Sequence, residues 1–339
     1  MIFLNRDQIN DLISMKEAIG AMKTAFAQLS SGEAIVPPRL SLDIPDKNAT
    51  SVVMPAYANG SPYYTVKILS VNYSNPDKGL PLIHGVVQVF DAENGEHVAN
   101  LDGGSVTAIR TGAASGLATN LLAKENANVC AVFGTGVQAA SHIEAVLEVR
   151  PIEKIMVFSR SKPSAENFCS TLANQVQCEI GKEESLLEAD IVCTTTPASS
   201  PLFETDEIKP GCHLNVVGSH QPSFREVPTG LVARSKIIVD KREACEQEAG
   251  DLIIPVQEGS WSFEQVHGEL GQVVSGDIIS RESENEITLF KSVGNAIQDH
   301  AMASLLYTSD AADEVIGVDL GGRRIIKKKK GGGGGGGGG

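Results

Sequence analysis

Short apolar runs alternate with segments of helical spacing over the second half of the chain. The apolar runs are residues 129–133, 154–159, 190–194, 213–218 and 236–240. Residues 163–176 place apolar side chains at helical intervals, and residues 183–189 form a second, acidic helical segment. Strands that alternate with helices predict an α/β fold with a doubly wound parallel sheet, the Rossmann arrangement.

Residues 1–120 follow a different pattern. One helix is predicted near residues 16–29, and another, rich in Ala and Leu, over residues 103–123. Apolar and polar positions alternate over residues 51–54, 63–71, 83–90 and 97–101. Residues 91–96 read as a hairpin turn, with Gly95 where a positive φ is expected. This part of the chain therefore predicts an α+β domain built on an antiparallel or mixed sheet.

The apolar run at 129–133 leads into a glycine turn that opens a predicted helix. Gly134 permits a tight turn, Gly136 lets the backbone approach a pyrophosphate, and Ala139 is small enough to pack helix on strand. The N–H groups at the start of the helix would face the phosphates. The predicted dinucleotide-binding residues of this turn are Gly134, Thr135, Gly136, Val137 and Gln138.

The tip of the second strand of such a sheet indicates which cofactor is bound. An acidic residue there accepts hydrogen bonds from an adenosine ribose, whereas this chain has Ser159, Arg160 and Lys162. Two cations and a hydroxyl suit a 2′-phosphate, so NADP(H) is predicted over NAD(H), the alternative cofactor. The other interpretation is a solvated basic turn that is indifferent to the phosphate.

Two further strand ends carry predicted cofactor residues. Thr194 and Thr195 follow the apolar run at 190–194 and are expected to border the cofactor ribose. Gly218 closes the run at 213–218 and is expected at the same edge of the sheet.

Composition points to a globular enzyme. The chain has 339 residues, 42% of them hydrophobic, and a formal charge of −14 that argues against nucleic acid or an anionic membrane as partner. No apolar run approaches the roughly 18 residues of a membrane span, and no leader is recognised, so a cytoplasmic location is expected. The cysteines lack C-x-x-C spacing and are interpreted as reduced, with no metal site.

The carboxyl-terminal segment is interpreted separately. Residues 327–330 are lysines followed by nine glycines, a pattern that folding does not explain. Back-translated, residues 305–313 and 318–326 resemble a sequencing adapter. Residues 305–339 are therefore predicted to be non-native read-through of a truncated gene and are excluded from the fold prediction.

Several motifs of the chain resemble the ornithine cyclodeaminase and mu-crystallin family. They are Met54-Pro55-Ala56-Tyr57, Lys67-Ile68, Asn75-Pro76-Asp77-Lys78-Gly79-Leu80-Pro81, Val89-Phe90-Asp91-Ala92, Thr107-Ala108-Ile109-Arg110-Thr111-Gly112-Ala113, the turn from Gly134 to Ala139, Phe290-Lys291-Ser292-Val293-Gly294 and Gln298-Asp299. The resemblance implies a homodimer with a substrate-binding and dimerisation domain at 1–117 and a Rossmann domain at 118–289. It implies that residues 290–304 pack back on the first domain. It also implies that Thr111, Ser292 and Gly294 lie at the cofactor.

The resemblance further implies a small α-imino or α-amino acid substrate. Its carboxylate would be held by Arg110, assisted by Arg39 and Lys67, because a planar guanidinium matches a carboxylate in two hydrogen bonds. Lys67 is also a candidate proton donor. The alternatives are an interhelical salt bridge for Arg110, a solvated loop residue for Arg39 and a lysine with a buried stem for Lys67.

One departure from the family pattern bears on the reaction. Where the cyclodeaminases have an aspartate after the fifth strand, this chain has His220, which either transfers protons or only borders the pocket. The missing carboxylate favours an NADP(H)-preferring reductase of α-imino acids, such as five- or six-membered cyclic ketimines, over deamination. The alternatives are an ornithine cyclodeaminase that uses NAD and releases ammonia, and a nonenzymatic small-ligand binder.

Overall fold

The computed structural model describes residues 1–308, which form two sheets with helices packed between and around them. The strands of the first sheet are β1 (Ile2–Leu4), β2 (Ala34–Ile35), β3 (Leu40–Ile44), β4 (Ala49–Ala58), β5 (Tyr63–Asn72), β6 (Ile83–Asp91) and β7 (His97–Asp102). Its order is β1-β7-β6-β5-β4-β2, and β3 also pairs with β4. Only the β1–β7 pair is parallel, so this is the expected mixed sheet.

The second sheet is entirely parallel. Its strands are β8 (Val129–Phe133), β9 (Lys154–Phe158), β10 (Gln177–Ile180), β11 (Ile191–Thr194), β12 (His213–Val216), β13 (Lys236–Val239), β14 (Gly268–Glu269) and β15 (Thr288–Lys291). The order β10-β9-β8-β11-β12-β15-β13-β14 reverses direction after β8, which is the doubly wound arrangement. The predicted α/β fold class is confirmed.

Helices cover both sheets. They are α1 (Arg6–Leu12), α2 (Met15–Ser31), α3 (Gly103–Leu122), α4 (Val137–Val149), α5 (Lys162–Leu172), α6 (Thr229–Arg234), α7 (Arg242–Glu248), α8 (Gly250–Gln257), α9 (Leu270–Ser275) and α10 (Ala296–Thr308). The predicted helix at 163–176 ends at Leu172 because the chain soon enters the edge strand β10. The acidic segment at 183–189 is a 3-10 helix over Glu183–Glu188.

The segment at 290–304, expected on the first domain, is divided between the two sheets. β15 lies between β12 and β13 in the second sheet. The chain then turns at Gly294 and continues as α10, which packs against α2, β4 and β5. Buried Ile297, Met302 and Leu306 join the same apolar cluster as Phe26 of α2. The segment from β15 to α10 thus connects the two sheets.

The predicted read-through boundary at residue 305 falls inside a packed helix. Leu306 is fully buried, and the ring of Tyr307 lies 4.7 Å from the ring of Tyr63. The rest of the predicted tail, residues 309–339, lies outside the described residues. No helix among residues 1–308 is long and apolar enough to cross a membrane.

The interpretation of all cysteines as reduced is wrong for one pair. Cys169 of α5 and Cys178 of β10 form a disulfide with their Cα atoms 5.3 Å apart. The packing of α5 on the edge strand brings together two residues whose sequence spacing gave no signal. Cys130, Cys193, Cys212 and Cys245 are free and buried.

Helix α3 carries Arg110 and is buried on nearly every side between the two halves of the molecule. It crosses α4 closely at Gly112, where a Cβ would lie 2.5 Å from the carbonyl oxygen of Ser141. Since that neighbour is backbone, it cannot move aside as a flexible side chain would. The crossing therefore sets how the site residues of α3 approach the nucleotide sheet.

We expect Gly112→Ala to lower the free energy of unfolding by about 1–3 kcal/mol, because the added methyl group forces α3 away from α4. Urea unfolding measures the change. The matched control is Gly20→Ala in α2, where a Cβ would meet no atom of the described chain within 4 Å. That change should be neutral or stabilise by up to about 1 kcal/mol. Equal stability of the two variants would contradict a close crossing.

Candidate active site

The glycine turn after β8 has the geometry that a bound diphosphate needs. Gly134 has φ +109°, and a Cβ there would lie 2.7 Å from Oγ1 of Thr195, so only glycine fits. Gly136 caps α4, and among residues 1–308 no atom lies within 4 Å of a Cβ built on it and no capping side chain bonds to the N–H groups of the first turn. Within the described chain, the buried Oε1 of Gln138 has no partner. These features fit a dinucleotide diphosphate at the turn formed by Gly134, Thr135, Gly136, Val137 and Gln138.

The basic tip of β9 lies beside this turn, since β9 pairs with β8. Oγ of Ser159 accepts a hydrogen bond from the Ser161 N–H, and Ser161 caps α5. Arg160 is exposed, and Lys162 is exposed with its Nζ 3.8 Å from Glu166. The arrangement leaves both cations accessible at the edge where an adenosine ribose would lie.

The threonines after β11 turn their hydroxyls into the protein. Thr194 Oγ1 donates to Glu226 at 2.8 Å, and Thr195 Oγ1 donates to the carbonyl of Phe133 at 2.8 Å. The Gly218 N–H also donates to Glu226, at 2.8 Å. These residues therefore shape the edge of the sheet, and both threonine hydroxyls donate their protons to acceptors within the protein.

Glu226, which sequence reasoning missed, is a fully buried carboxylate that organises this edge. Burial and the nearby Asp251 raise its pKa, against hydrogen bonds from backbone and hydroxyl groups. Asp251 accepts hydrogen bonds from the Glu226 and Val227 N–H groups and forms a buried ion pair of 2.7 Å with Lys291. Lys291 Nζ also donates to the carbonyl of Ser219, which fixes the loop after β12.

A second missed carboxylate, Asp240, holds the turn after β15. It accepts hydrogen bonds from Ser292 Oγ at 2.7 Å and from the N–H groups of Val293 and Gly294 at 3.0 and 2.8 Å. Gly294 has φ +83°, and a Cβ on it would lie 2.8 Å from Nη1 of Arg110. The turn thus brings the Gly294 backbone directly against the Arg110 guanidinium.

The proposed carboxylate-binding residues meet around one further carboxylate that sequence reasoning did not place in the site. Lys67 Nζ lies 3.0 Å from Asp299 Oδ1, and Arg110 Nε lies 3.4 Å from the same oxygen. Arg110 Nη1 donates to Gln298 Oε1 at 2.5 Å. Lys67 comes from β5, Arg110 from α3, and Asp299 and Gln298 from α10, and all four are buried.

This cluster retains unused hydrogen-bonding capacity. Among residues 1–308, Arg110 Nε, Gln298 Nε2 and Asp299 Oδ2 are buried without a hydrogen-bond partner. A buried polar atom left unpaired costs about 1–3 kcal/mol, so a cluster of them marks a place where a polar ligand compensates.

The surroundings of Lys67 lower the pKa of its ammonium group. Desolvation lowers its pKa to about 8, with Arg110 and Arg39 acting in the same direction and Asp299 opposing them. Lys67 is therefore mostly protonated at neutral pH but can lose its proton within the accessible range.

Arg39 joins the site from the loop after β2. Its Nη2 donates to the carbonyl of Gly294 at 2.8 Å, and its Nε forms an ion pair of 2.9 Å with Glu248. The Thr111 hydroxyl donates to the Thr107 carbonyl within α3 at 2.6 Å.

His220 lies in the loop after β12. Its pKa is lowered, first by desolvation against the surrounding chain and then by the positive charges of Arg39 and Lys291. The ring is consequently neutral at neutral pH and suited to accept a proton rather than to donate one. No group of His, Cys, Asp and Glu side chains within residues 1–308 could hold a metal ion.

Known proteins of the same architecture give this geometry a context. A Delta(1)-pyrroline-2-carboxylate reductase of Bacillus cereus is 39% identical over 316 residues, which cover 91% of this chain and 96% of that protein. The solved structure of the Thermococcus litoralis Delta(1)-pyrroline-2-carboxylate reductase with NADH and L-proline matches with a TM-score of 0.89 and 36% identity. It covers 93% of this chain and 98% of that one. An archaeal alanine dehydrogenase dimer with bound NAD matches with a TM-score of 0.86 and 31% identity, over 93% and 97% of the two chains.

The family model described as the ornithine cyclodeaminase/mu-crystallin family matches residues 1–314. The match contains the glycine turn, the Arg110 helix and the Gly294 turn in one continuous alignment. The resemblance inferred from the motifs is confirmed, and the chain belongs to the ornithine cyclodeaminase/mu-crystallin family.

Proposed function

We propose that the protein is an NAD(P)H-dependent reductase of small α-imino acids of the pyrroline-2-carboxylate type. The observation that carries this proposal is the buried cluster of Lys67, Arg110 and Asp299, with its unpartnered polar atoms beside the Gly294 turn. The glycine turn at Gly134 and Gly136 has the geometry that a dinucleotide diphosphate needs. The named activity of the Bacillus and Thermococcus relatives supports the same reaction.

The charges of the cluster suit one substrate carboxylate. Lys67 and Arg110 carry two positive charges, and Asp299 neutralises one of them. A single carboxylate balances the remaining charge, which is the condition for burying it without a large penalty. Nε of Arg110, which has no hydrogen-bond partner among residues 1–308, and Nζ of Lys67 would donate to its oxygens.

Reduction of an imine requires a hydride at carbon and a proton at nitrogen. The nicotinamide dinucleotide, when bound, supplies the hydride. Lys67 supplies the proton from its ammonium group and regains it from solvent, which a pKa of about 8 permits. We assign this step to Lys67 over His220, because the His220 ring is neutral at neutral pH.

We further propose NADPH as the preferred reductant. Arg160 and Lys162 stand exposed at the tip of β9, with Ser159 between strand and helix. Their charges favour the additional 2′-phosphate of NADPH, and the tip lacks the acidic residue that would repel it. NADH is the alternative cofactor.

A homodimer through the first sheet is also proposed. From Val52 to Ala58 the even-numbered residues of β4 are buried, so the odd-numbered residues between them face outward with their cross-strand neighbours. Ile35 pairs with Tyr57, Leu40 with Val53, and Val53 with Ile68. Ile35, Leu40, Leu42 and Ile68 therefore form one outward stripe, exposed by 56%, 69%, 63% and 38%. An apolar stripe of this kind is typical of a protein interface.

We expect the purified protein to oxidise NADPH stoichiometrically when it is offered pyrroline-2-carboxylate or piperideine-2-carboxylate. The loss of reduced-nicotinamide absorbance measures the reaction. NADH should give a lower kcat/KM than NADPH. The control substrate is 1-pyrroline, the same ring without a carboxylate, which should not be reduced because Arg110 and Lys67 have nothing to hold. Ammonia release from ornithine with no reduction of either imine would overturn the proposal in favour of a cyclodeaminase.

The pH dependence of imine reduction should follow Lys67. Because the ammonium form is the acid, kcat/KM falls as pH rises through its pKa of about 8. Asp299→Asn removes the anion that favours the ammonium form, so the fall should move to lower pH by about one unit or more. Asp46→Asn, an exposed carboxylate of the same domain, is the control and should leave the profile unchanged. If kcat/KM of Asp299→Asn falls at the same pH as that of the wild type, Lys67 is not the proton donor.

Placing a charge on the outward stripe should disrupt the dimer. Leu42→Asp introduces a carboxylate that would be buried without a partner in the interface, so light scattering should report a monomer mass where the wild type gives a dimer. Ile279→Asp, 63% exposed away from the stripe, should remain a dimer. A dimeric Leu42→Asp protein, or a monomeric wild type, would show that the stripe is not the interface.

A further inference from the structure

Glu248 is an acidic residue at the edge of the site with no part in the proposed reaction. It is the last residue of α7, and its Oε1 lies 2.9 Å from Nε of Arg39. Its second oxygen, Oε2, is buried without a hydrogen-bond partner in the described part of the chain. Desolvation raises the pKa of this carboxyl, while Arg39 acts to lower it. A half-satisfied carboxylate is thus held at the rim by a single ion pair.

One residue, Gly294, lies between the Arg39–Glu248 ion pair and the cluster of Lys67, Arg110 and Asp299. Arg39 also donates through Nη2 to the carbonyl of Gly294. The other face of Gly294 lies against Arg110, since a Cβ there would be 2.8 Å from Nη1. The charge of Arg39 reaches into the cluster, where it lowers the pKa of both Lys67 and Arg110.

The site has three cations, Lys67, Arg110 and Arg39, but only one of their positive charges is left to balance a substrate carboxylate. Asp299 neutralises one of the pair Lys67 and Arg110. Glu248 neutralises Arg39. Among the three cations Lys67, Arg110 and Arg39, a second substrate carboxylate would find no positive charge left to balance it, so it would be buried without compensation beside the carboxylate of Glu248.

We propose that Glu248 determines substrate specificity by cancelling the charge of Arg39, and so restricts the site to imino acids with a single carboxylate and excludes dicarboxylic imines. This inference rests on the proposed function, because it assumes that the cluster holds the substrate carboxylate. It goes beyond that function because it names the residue that limits the substrate class. Specificity of this kind comes from an unfavourable contact with the wrong ligand rather than a better contact with the right one.

The test compares two unreactive ligands that differ by one carboxylate. L-Proline and pyrrolidine-2,4-dicarboxylate, in both configurations at the second carboxyl, are titrated calorimetrically into protein saturated with NADPH, a combination that cannot turn over. The wild type should bind proline at least tenfold more tightly than either dicarboxylate. Glu248→Gln keeps the shape of the side chain, removes its charge and frees Arg39. It should reduce that ratio by about tenfold or more, equivalent to about 1.4 kcal/mol.

The matched control is Glu246→Gln, an exposed carboxylate of the same helix, which makes the same change of charge outside the site. It should leave the ratio at its wild-type value. Glu248→Ala provides a second variant if the amide disturbs folding, and it should reduce the ratio in the same direction. An unchanged ratio in both Glu248 variants, or an equal effect of Glu246→Gln, would overturn the inference.

The outcomes separate this inference from the proposed function. A wild type that binds proline and the dicarboxylates equally well contradicts the role of Glu248, while reduction of pyrroline-2-carboxylate is measured independently. A wild type that discriminates between the ligands but does not reduce the imine contradicts the reductase and leaves the charge selection in place. A wild type that binds neither ligand contradicts both.

Discussion

The site depends on a single buried carboxylate, that of Asp299. Lys67 and Arg110 would each be costly to bury alone, since an isolated charge in a protein interior loses several kcal/mol of hydration. Asp299 lies within 3.0 and 3.4 Å of the two cations and allows both to stay inside. Because the three residues come from β5, α10 and α3, the pair of contacts also fixes how the first sheet, the last helix and the central helix meet. The charge balance of the cluster and the relative positions of these three elements therefore depend on the same two contacts.

Two other buried carboxylates hold the loops at one edge of the second sheet, which contains the glycine turn. Asp240 gathers the N–H groups of the turn after β15, and Glu226 gathers those at the ends of β11 and β12. Each one satisfies backbone donors where parallel strands end, at the edge that binds ligands in sheets of this type. The Gly294 turn then carries the chain from the second sheet to Arg110 and onward into α10. The stretch from β15 through the Gly294 turn to α10 thus connects the second sheet with the cluster of Lys67, Arg110 and Asp299.

The sequence was sufficient for features that depend on local pattern. The short apolar runs became the parallel strands, and the glycine turn at Gly134 lies between a strand and a helix as predicted. The family motifs placed Lys67 and Arg110 in one site, where the structure also brings them together. In contrast, the role of Asp299 depends on contact with a residue 232 positions earlier, which no periodicity reports. Its occurrence in a Gln-Asp motif was the only available signal. Glu226, Asp240 and Glu248 were missed for the same reason, since an isolated acidic residue in the sequence does not reveal the cation or backbone turn that it meets.

A crystal structure of the protein with NADPH and L-proline would show whether the substrate carboxylate occupies the cluster around Asp299. We expect the proline carboxylate to accept hydrogen bonds from Arg110 and Lys67, with Asp299 still in contact with Lys67 and the ring nitrogen directed toward the nicotinamide. A proline carboxylate bound elsewhere, with Lys67 and Arg110 contacting only protein atoms, would contradict the account.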